Sequence, residues 1–289
     1  MSKTEFCHIA PTPHLDLTDG RSVHLVLAHL IETDDNYVNF YLEQKEKYGC
    51  TIIMDNSAFE MFKQDKPMYP AYKLITMAEK IKADYIVMSD YPGERAEKTI
   101  EAAKTMAPLI KDAGFKTFFV PQGQAGNVID LTYGFNWASN HPDLVDYIGV
   151  SILAIPLAYG VEKGNKLQRF TSRLKFMYHI ENRPLLNNIK AQGQKIHFLG
   201  MVDGPNEVMF MEPFNKFIDT WDSSAAVWLG LNGQTFDDTP TGRRDGKFEE
   251  EVDFNFKTED NTCIKMAKEN MEYIDKLTYA YLYKTEITK

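Results

Sequence analysis

Apolar residues recur along this chain in short unbroken runs, each ending in a polar cluster and followed by a longer stretch of helical spacing. Runs occupy residues 23–31, 51–54, 85–88, 116–120, 147–150 and 195–202, and another begins at Phe217. Runs without alternation suit strands buried on both faces of a parallel sheet. Helical spacing covers 38–48, stopped by Gly49, then 71–82, then 94–112, stopped by Gly114. The first twenty residues, with Pro11, Pro13 and Gly20, read as irregular. The pattern gives seven strand–helix units, with 227–231 or a later segment expected as the eighth strand. Regular alternation predicts a parallel sheet. Eight units predict a closed TIM-type (β/α)8 barrel, with residues 1–289 forming a single α/β domain. No GxGxxG follows the first strand, which counts against a dinucleotide-binding sheet. Two regions exceed the repeat: an insertion at 153–194, after the fifth of these strands, and a polar loop at 236–253. A last helical segment, 257–283, is expected on the outside of the barrel.

In such a barrel the C-terminal ends of the strands share one mouth. Here they end in Asp55, Asp90, Gln122, Ser151 and Asp222, so residues far apart in sequence are expected to meet. A carboxylate at a buried strand end is costly unless it is paired or used. Asp222 reads as the chemical centre. Asp219 is its rival, but the two differ in strand parity, so only one of them faces the mouth. The plainer reading of all these groups is that they cap helices and form turns. His24, His29 and His197 lie inside apolar runs and read as satisfied core histidines.

Composition narrows the class. A hydrophobic share of 44% with 25% charged residues is that of a globular chain able to build a core. The net charge of -9 argues against a protein that coats polyanions. Yet 163–195 holds eight Lys and Arg against the single acid Glu181. Within it Leu167, Phe170, Leu174 and Met177 share one helical face, and Arg169 and Arg173 share another. A local sign opposing the whole marks a candidate phosphate-holding surface. Cys7, Cys50 and Cys263 are widely spaced, so neither a metal site nor a disulfide framework is indicated. An intracellular, cytoplasmic setting is expected. No run approaches the ~18 apolar residues of a membrane span, and no segment resembles a signal peptide.

The strand ends resemble a known set of motifs. Asp55-Asn-Ser-Ala-Phe59 is similar to the Asp-Ser-Gly-Gly-(Phe/Tyr) motif of tRNA-guanine transglycosylases. Tyr85-Ile-Val-Met-Ser-Asp90 resembles their Asp-Ile-Val-Met-x-Phe-Asp segment, and Val120-Pro-Gln-Gly123 their Ile-Val-Gln-Gly. Ile148-Gly-Val-Ser-Ile-Leu resembles Ile-Gly-Gly-Leu, with Val150-Ser151 in place of the second glycine. Asp219-Thr-Trp-Asp222 through Leu231-Asn-Gly233 resembles Asp-x-Phe-Asp…Arg-Asn-Gly at the same spacing. The likeness covers roughly 50–235, in the family's order. The chain lacks the family's cysteine and histidine zinc cluster, and in this and its shortness it is most similar to the often phage-encoded DNA-guanine transglycosylases.

The resemblance implies replacement of guanine in DNA by a free 7-deazaguanine of the preQ0 or preQ1 type, with no cofactor and no metal. Asp222 would be the nucleophile and Asp55 the acid and base. Asp90 and Gln122 would bind the base edge, Gly149 and Ser151 would line the pocket, and Phe59 would be an aromatic wall. A covalent carboxylate–sugar intermediate and a second, proton-shuttling carboxyl are the logic of a retaining glycosidase with a base in place of water. Arg169, Arg173, Lys175, Arg243 and Arg244 are the expected nucleic-acid contacts. The alternatives are a tRNA-directed enzyme of the same family and a hydrolytic nucleosidase or glycosidase barrel.

Overall fold

The structure, a computed structural model, describes residues 4–162, 164–201, 204–236 and 251–287. Eight parallel strands follow in order: β1 Glu5–His8, β2 Val23–Leu27, β3 Thr51–Asp55, β4 Tyr85–Val87, β5 Lys116–Phe119, β6 Tyr147–Ser151, β7 Lys195–Leu199 and β8 Thr220–Ser223. The helices are α1 Ala28–Thr33, α2 Asp35–Tyr48, α3 Ala58–Lys63, α4 Ala71–Ile81, α5 Ala96–Asp112, α6 Val128–Ser139, α7 Ala154–Ala158, α8 Lys166–Glu181, α9 Leu185–Ala191, α10 Pro205–Phe210, α11 Ala225–Leu231 and α12 Asn261–Ile287. The strands are hydrogen-bonded in the order β1-β8-β7-β6-β5-β4-β3-β2, and β1 and β2 lie against each other. This is a (β/α)8 barrel of the TIM type with a C-terminal helix on its outside.

The expected eighth strand is at the other end of the chain. Glu5–His8 pairs with β8, Cys7 beside Asp222, although the first twenty residues read as irregular. Residues 227–231 lie instead in α11, because five apolar residues fit a buried helix as well as a strand. The run 23–31 splits, with the strand stopping at Leu27 and α1 beginning at Ala28. With β1 counted, the insertion follows the sixth strand and consists of α7, α8 and α9. The polar loop falls largely outside the described residues.

Alternate strand residues fill the barrel. Rings of Tyr85, Phe118, Tyr147 and His197 meet across four neighbouring strands. Gly149 makes room among them: a Cβ there would lie 2.8 Å from Leu199 Cδ1 and 2.9 Å from Phe118 Cε2. Outside, α11 and α12 cross at Gly230, where a Cβ would lie 2.2 Å from the Ala267 backbone. Buried His8 and partly exposed Arg21 both bond Asp275 of α12.

The N-terminal end of the barrel is closed by a repeated device. Asp84, Asp146 and Asp219 each precede an even-numbered strand. Their carboxylates accept the amides of Ile52, Thr117 and Ile196 on the preceding strand at 2.7, 2.8 and 2.7 Å. Each also pairs with a lysine: Lys45 at 2.6 Å, Lys111 at 3.0 Å, and Lys190. Their carbonyls receive Lys116, Lys195 and Glu5 from the strand beyond, and Ser22 takes the fourth place by accepting Thr51 N. At β4, β6 and β8 the residue before the strand thus ties together the strands on either side.

Candidate active site

Asp55 ends β3. Its Oδ2 accepts the amide of Ser57 at 2.8 Å, and Ser57 holds a left-handed φ of 56°. Such a conformation is strained for a side-chain-bearing residue. It is held from the far side by His29, whose amide donates to Ser57 Oγ at 3.1 Å and whose Nδ1 lies 2.9 Å from it. Burial keeps His29 low, at about 4, so the ring is neutral at physiological pH. Part of Asp55 reaches solvent, but its carboxyl is closely surrounded by protein. Burial pushes that carboxyl well above the usual range, and the charges of Glu60, Asp90 and Asp222 push the same way.

Asp90 follows β4 and is buried. Asn56 Nδ2 donates to its Oδ1 at 2.7 Å and to the Met88 carbonyl at 2.6 Å, tying the end of β3 to that of β4. Gln122, beyond β5, donates from Nε2 to the other oxygen of Asp90. Burial raises Asp90 to about 6 against the pull of these two amides. Gln122 Oε1 is buried with no hydrogen-bond partner among the described residues. Its Nε2 carries a second N–H beyond the one given to Asp90, and this is the donor Gln122 has for a base oxygen.

Asp222 lies on β8, 6% exposed. Its Oδ1 is 2.9 Å from His197 Nε2 on β7 and accepts the Gly200 amide at 3.0 Å. Thr220, two residues earlier on the same strand face, bonds the other nitrogen of His197. Asp219 is accounted for by the repeated device at the opposite end of the barrel, so Asp222 is the residue that faces the mouth.

The barrel therefore gathers Asp55, Asp90, Gln122 and Asp222 at its C-terminal end. Asp55 and Asp222 are near enough for their charges to interact, and no Lys or Arg among the described residues forms an ion pair with Asp55 or Asp90. Ser151 stands at the end of β6, where its Oγ accepts the amides of Leu153 and Ala154, both at 3.1 Å. It holds the turn that leads into α7, and its hydroxyl proton is the group it has to offer. Gly149 lies deeper, where barrel packing alone accounts for it. Phe59 is 38% exposed on α3, just past Asp55, with Lys63 Nζ 4.0 Å over its ring.

The basic insertion does not form one surface. Arg173 was expected to contact phosphates, but it is 0% exposed. It pairs with Glu207 at 2.9 Å, donates to the Gly200 and Val150 carbonyls at 2.9 Å each, and lies over the rings of Phe198 and Trp221. The buried stripe of α8 runs through Phe170, Arg173, Phe176, Met177 and Ile180, whereas Leu167 is 54% exposed. Lys190 and Lys195 belong to the N-terminal end of the barrel, away from the site. Arg169 is half-buried and Lys175 exposed. Because α8 runs back from the mouth, Arg169 is the nearer of the two to it. Arg243 and Arg244 lie outside the described residues.

Sequence reasoning missed Asn56, His197 and Gly200. One signal for Asp219 was present: Ala83-Asp-Tyr-Ile, Val145-Asp-Tyr-Ile and Ile218-Asp-Thr-Trp are one repeated pattern, apolar-Asp-aromatic/Thr-apolar, at three strand starts.

Among the described residues no group of three or more His, Cys, Asp or Glu is placed to hold a metal ion, and no helix is long and apolar enough to cross a membrane. No protein-family model matches the chain, and no curated protein matches it in sequence. Its backbone is similar to that of pyruvate kinase from Pyrobaculum aerophilum, with a TM-score of 0.48 and 12% identity over 78% of this chain and 68% of that one. At that distance nothing about chemistry passes from one to the other.

Proposed function

We propose that this protein exchanges guanine in DNA for a free 7-deazaguanine through a covalent Asp222–sugar intermediate. The observation that carries the reading is the meeting of Asp55, Asp90, Gln122 and Asp222 at one barrel mouth, with Asp55 and Asp222 in electrostatic reach of each other. These are the residues at which the chain resembles guanine transglycosylases.

In the first displacement an oxygen of Asp222 bonds to the sugar's anomeric carbon as the bond to guanine breaks. Positive charge builds on the sugar and is stabilised by the nearby carboxylates. Asp55, whose carboxyl is pushed toward the protonated form by its surroundings, supplies the proton the departing guanine needs. Esterification removes the charge of Asp222, which had helped to hold Asp55 in its protonated form. Asp55 is then better able to serve as the base of the second half. There it takes the N9 proton of the entering 7-deazaguanine, whose nitrogen displaces Asp222. Two inversions retain configuration. Asp90 and Gln122 hold the edge of the base.

A stacked guanine cannot reach such a pocket, so the substrate is single-stranded or the base is flipped out at a cost of a few kcal/mol. The test is incubation with guanine-containing DNA and candidate 7-deazaguanines, followed by nucleoside mass spectrometry. Appearance of a deazaguanine nucleoside supports the reading. Exchange on tRNA alone assigns the chain to RNA, and release of guanine with no entering base assigns it to the hydrolases.

A further inference from the structure

His197 lies inside the barrel with both ring nitrogens engaged. Nε2 is 2.9 Å from Asp222 Oδ1, and Nδ1 is 2.5 Å from Thr220 Oγ1. Thr220 Oγ1 is in turn 2.9 Å from the Tyr147 hydroxyl. Four buried polar side chains thus stand in single file, from the middle of the barrel to the candidate nucleophile. Phe118 and Tyr147 meet the imidazole edge-on at 5.4 and 6.1 Å, so the ring is walled in.

With a single proton on the imidazole, the file has two self-consistent arrangements. In one, Tyr147 donates to Thr220, Thr220 donates to Nδ1, and Nε2–H donates to an ionised Asp222. In the other every donor reverses, and a protonated Asp222 donates to Nε2. The Gly200 amide decides between them. It donates to the same Oδ1 that faces His197. An oxygen that receives two N–H groups is a carboxylate oxygen, whereas the hydroxyl oxygen of a carboxylic acid is a poor acceptor.

We propose that His197 is a positioning residue for Asp222: with its proton on Nε2, it fixes one carboxylate oxygen and so presents the other to the sugar. The proposal rests on the reading of Asp222 as nucleophile. Through the reaction the two donors keep their partner. Oδ1 becomes the carbonyl oxygen of the sugar ester, and in the second displacement Nε2–H and the Gly200 amide receive the charge that returns to the departing carboxylate. Thr220 and Tyr147 set the tautomer by supplying a donor to Nδ1. This arrangement recurs wherever an imidazole's second nitrogen dictates what the first one does.

Two measurements test this. Long-range 1H–15N spectra of protein labelled at histidine report which nitrogen of His197 carries the proton, with no need for activity. The expected result is protonation at Nε2 alone, shifted in Asp222→Asn; a proton on Nδ1, with or without one on Nε2, or a signal indifferent to Asp222→Asn, overturns the proposal. The second is steady-state exchange kinetics of His197→Gln, His197→Met and Thr220→Val. Glutamine carries an N–H donor on a chain of similar reach and methionine does not. His197→Met is expected to lose about 10²-fold in kcat, the scale of one donor to a developing charge. KM for the base is expected to be unchanged, His197→Gln to recover a tenfold or greater part of the loss, and Thr220→Val to fall between. Equal losses in His197→Gln and His197→Met, or a loss confined to KM, overturn it, and so does an unchanged kcat in His197→Met. If the wild type exchanges no guanine while the spectra show the Nε2 tautomer coupled to Asp222, the proposed function fails and the positioning of Asp222 stands.

Discussion

Arg173 and Asp222 are joined through one residue. Arg173 Nη1 donates to the Gly200 carbonyl at 2.9 Å, and the Gly200 amide donates to Asp222 Oδ1 at 3.0 Å. A buried cation of the basic insertion therefore serves the interior of the protein, bracing the turn after β7 that holds the candidate nucleophile.

Arg173→Met is accordingly expected to destabilise the fold. It leaves Glu207 buried without this cation, and breaking a buried pair from one side costs about 3–5 kcal/mol. Arg169→Glu combined with Lys175→Glu is expected to change stability by no more than about 0.5 kcal/mol per site. The same pair should weaken DNA binding at low salt and reduce the slope of log affinity against log salt by about 2. Denaturant unfolding and a salt series of binding isotherms check both halves. Unaltered DNA binding in the double variant removes α8 from the interface.

Asp219 and Asp222 are three positions apart and are expected to fail differently. Asp219→Asn weakens the bonds to Lys190 and to the Ile196 amide, costing about 1–3 kcal/mol of stability while leaving the pH profile and kcat of the folded protein in place. Asp222→Asn keeps the fold and lowers exchange by about 10³-fold or more, as removal of a nucleophile does. Melting curves alongside exchange rates separate the two.

The barrel itself was legible because each buried parallel strand is a short run of apolar residues with a helical stretch behind it. β1 was not, since four residues beside prolines and a glycine carry no periodicity. Nor was α11, whose apolar run fits either element. Asp55, Asp90, Gln122 and Asp222 could be picked out because strand ends share the mouth of a barrel whatever their distance in sequence. His197 could not be linked to Asp222, because an apolar run shows that a histidine is buried and not what it touches. Arg173 was misplaced for a related reason. Spacing puts it on a face with Arg169, but only the packed structure shows that the buried stripe runs through Arg173.

Asp90 should make the protein pH-sensitive in two ways. Burial raises its folded-state value from 3.8 to about 6, so its protonated form favours the fold. The stability it contributes is fully present below pH 3.8 and is lost as the pH rises through about 6, a change of about 3 kcal/mol. Asp90→Asn should flatten that slope, as read from urea midpoints between pH 3.5 and 7. Under the proposed exchange the ionised form would accept the N–H groups of the base, so KM for the entering base should rise as the pH falls below about 6.

Asp55→Asn tests proton transfer apart from base binding. It retains a side chain of the same shape beside Ser57 but cannot exchange a proton. Exchange should fall by about 10²–10⁴-fold, while binding of the free 7-deazaguanine, measured by calorimetry, should survive. Loss of binding together with rate would assign Asp55 to recognition of the base.

The central claim is that a carboxylate at position 222 becomes bonded to sugar. Intact mass spectrometry of the protein denatured after incubation with single-stranded guanine-containing DNA, with no entering base, reads this directly. The predicted species has the mass of protein plus DNA less one guanine. It should map to Asp222, disappear when a 7-deazaguanine is added, and be missing in Asp222→Asn. Exchange that proceeds with no such adduct, or an adduct that persists in Asp222→Asn, would contradict the account.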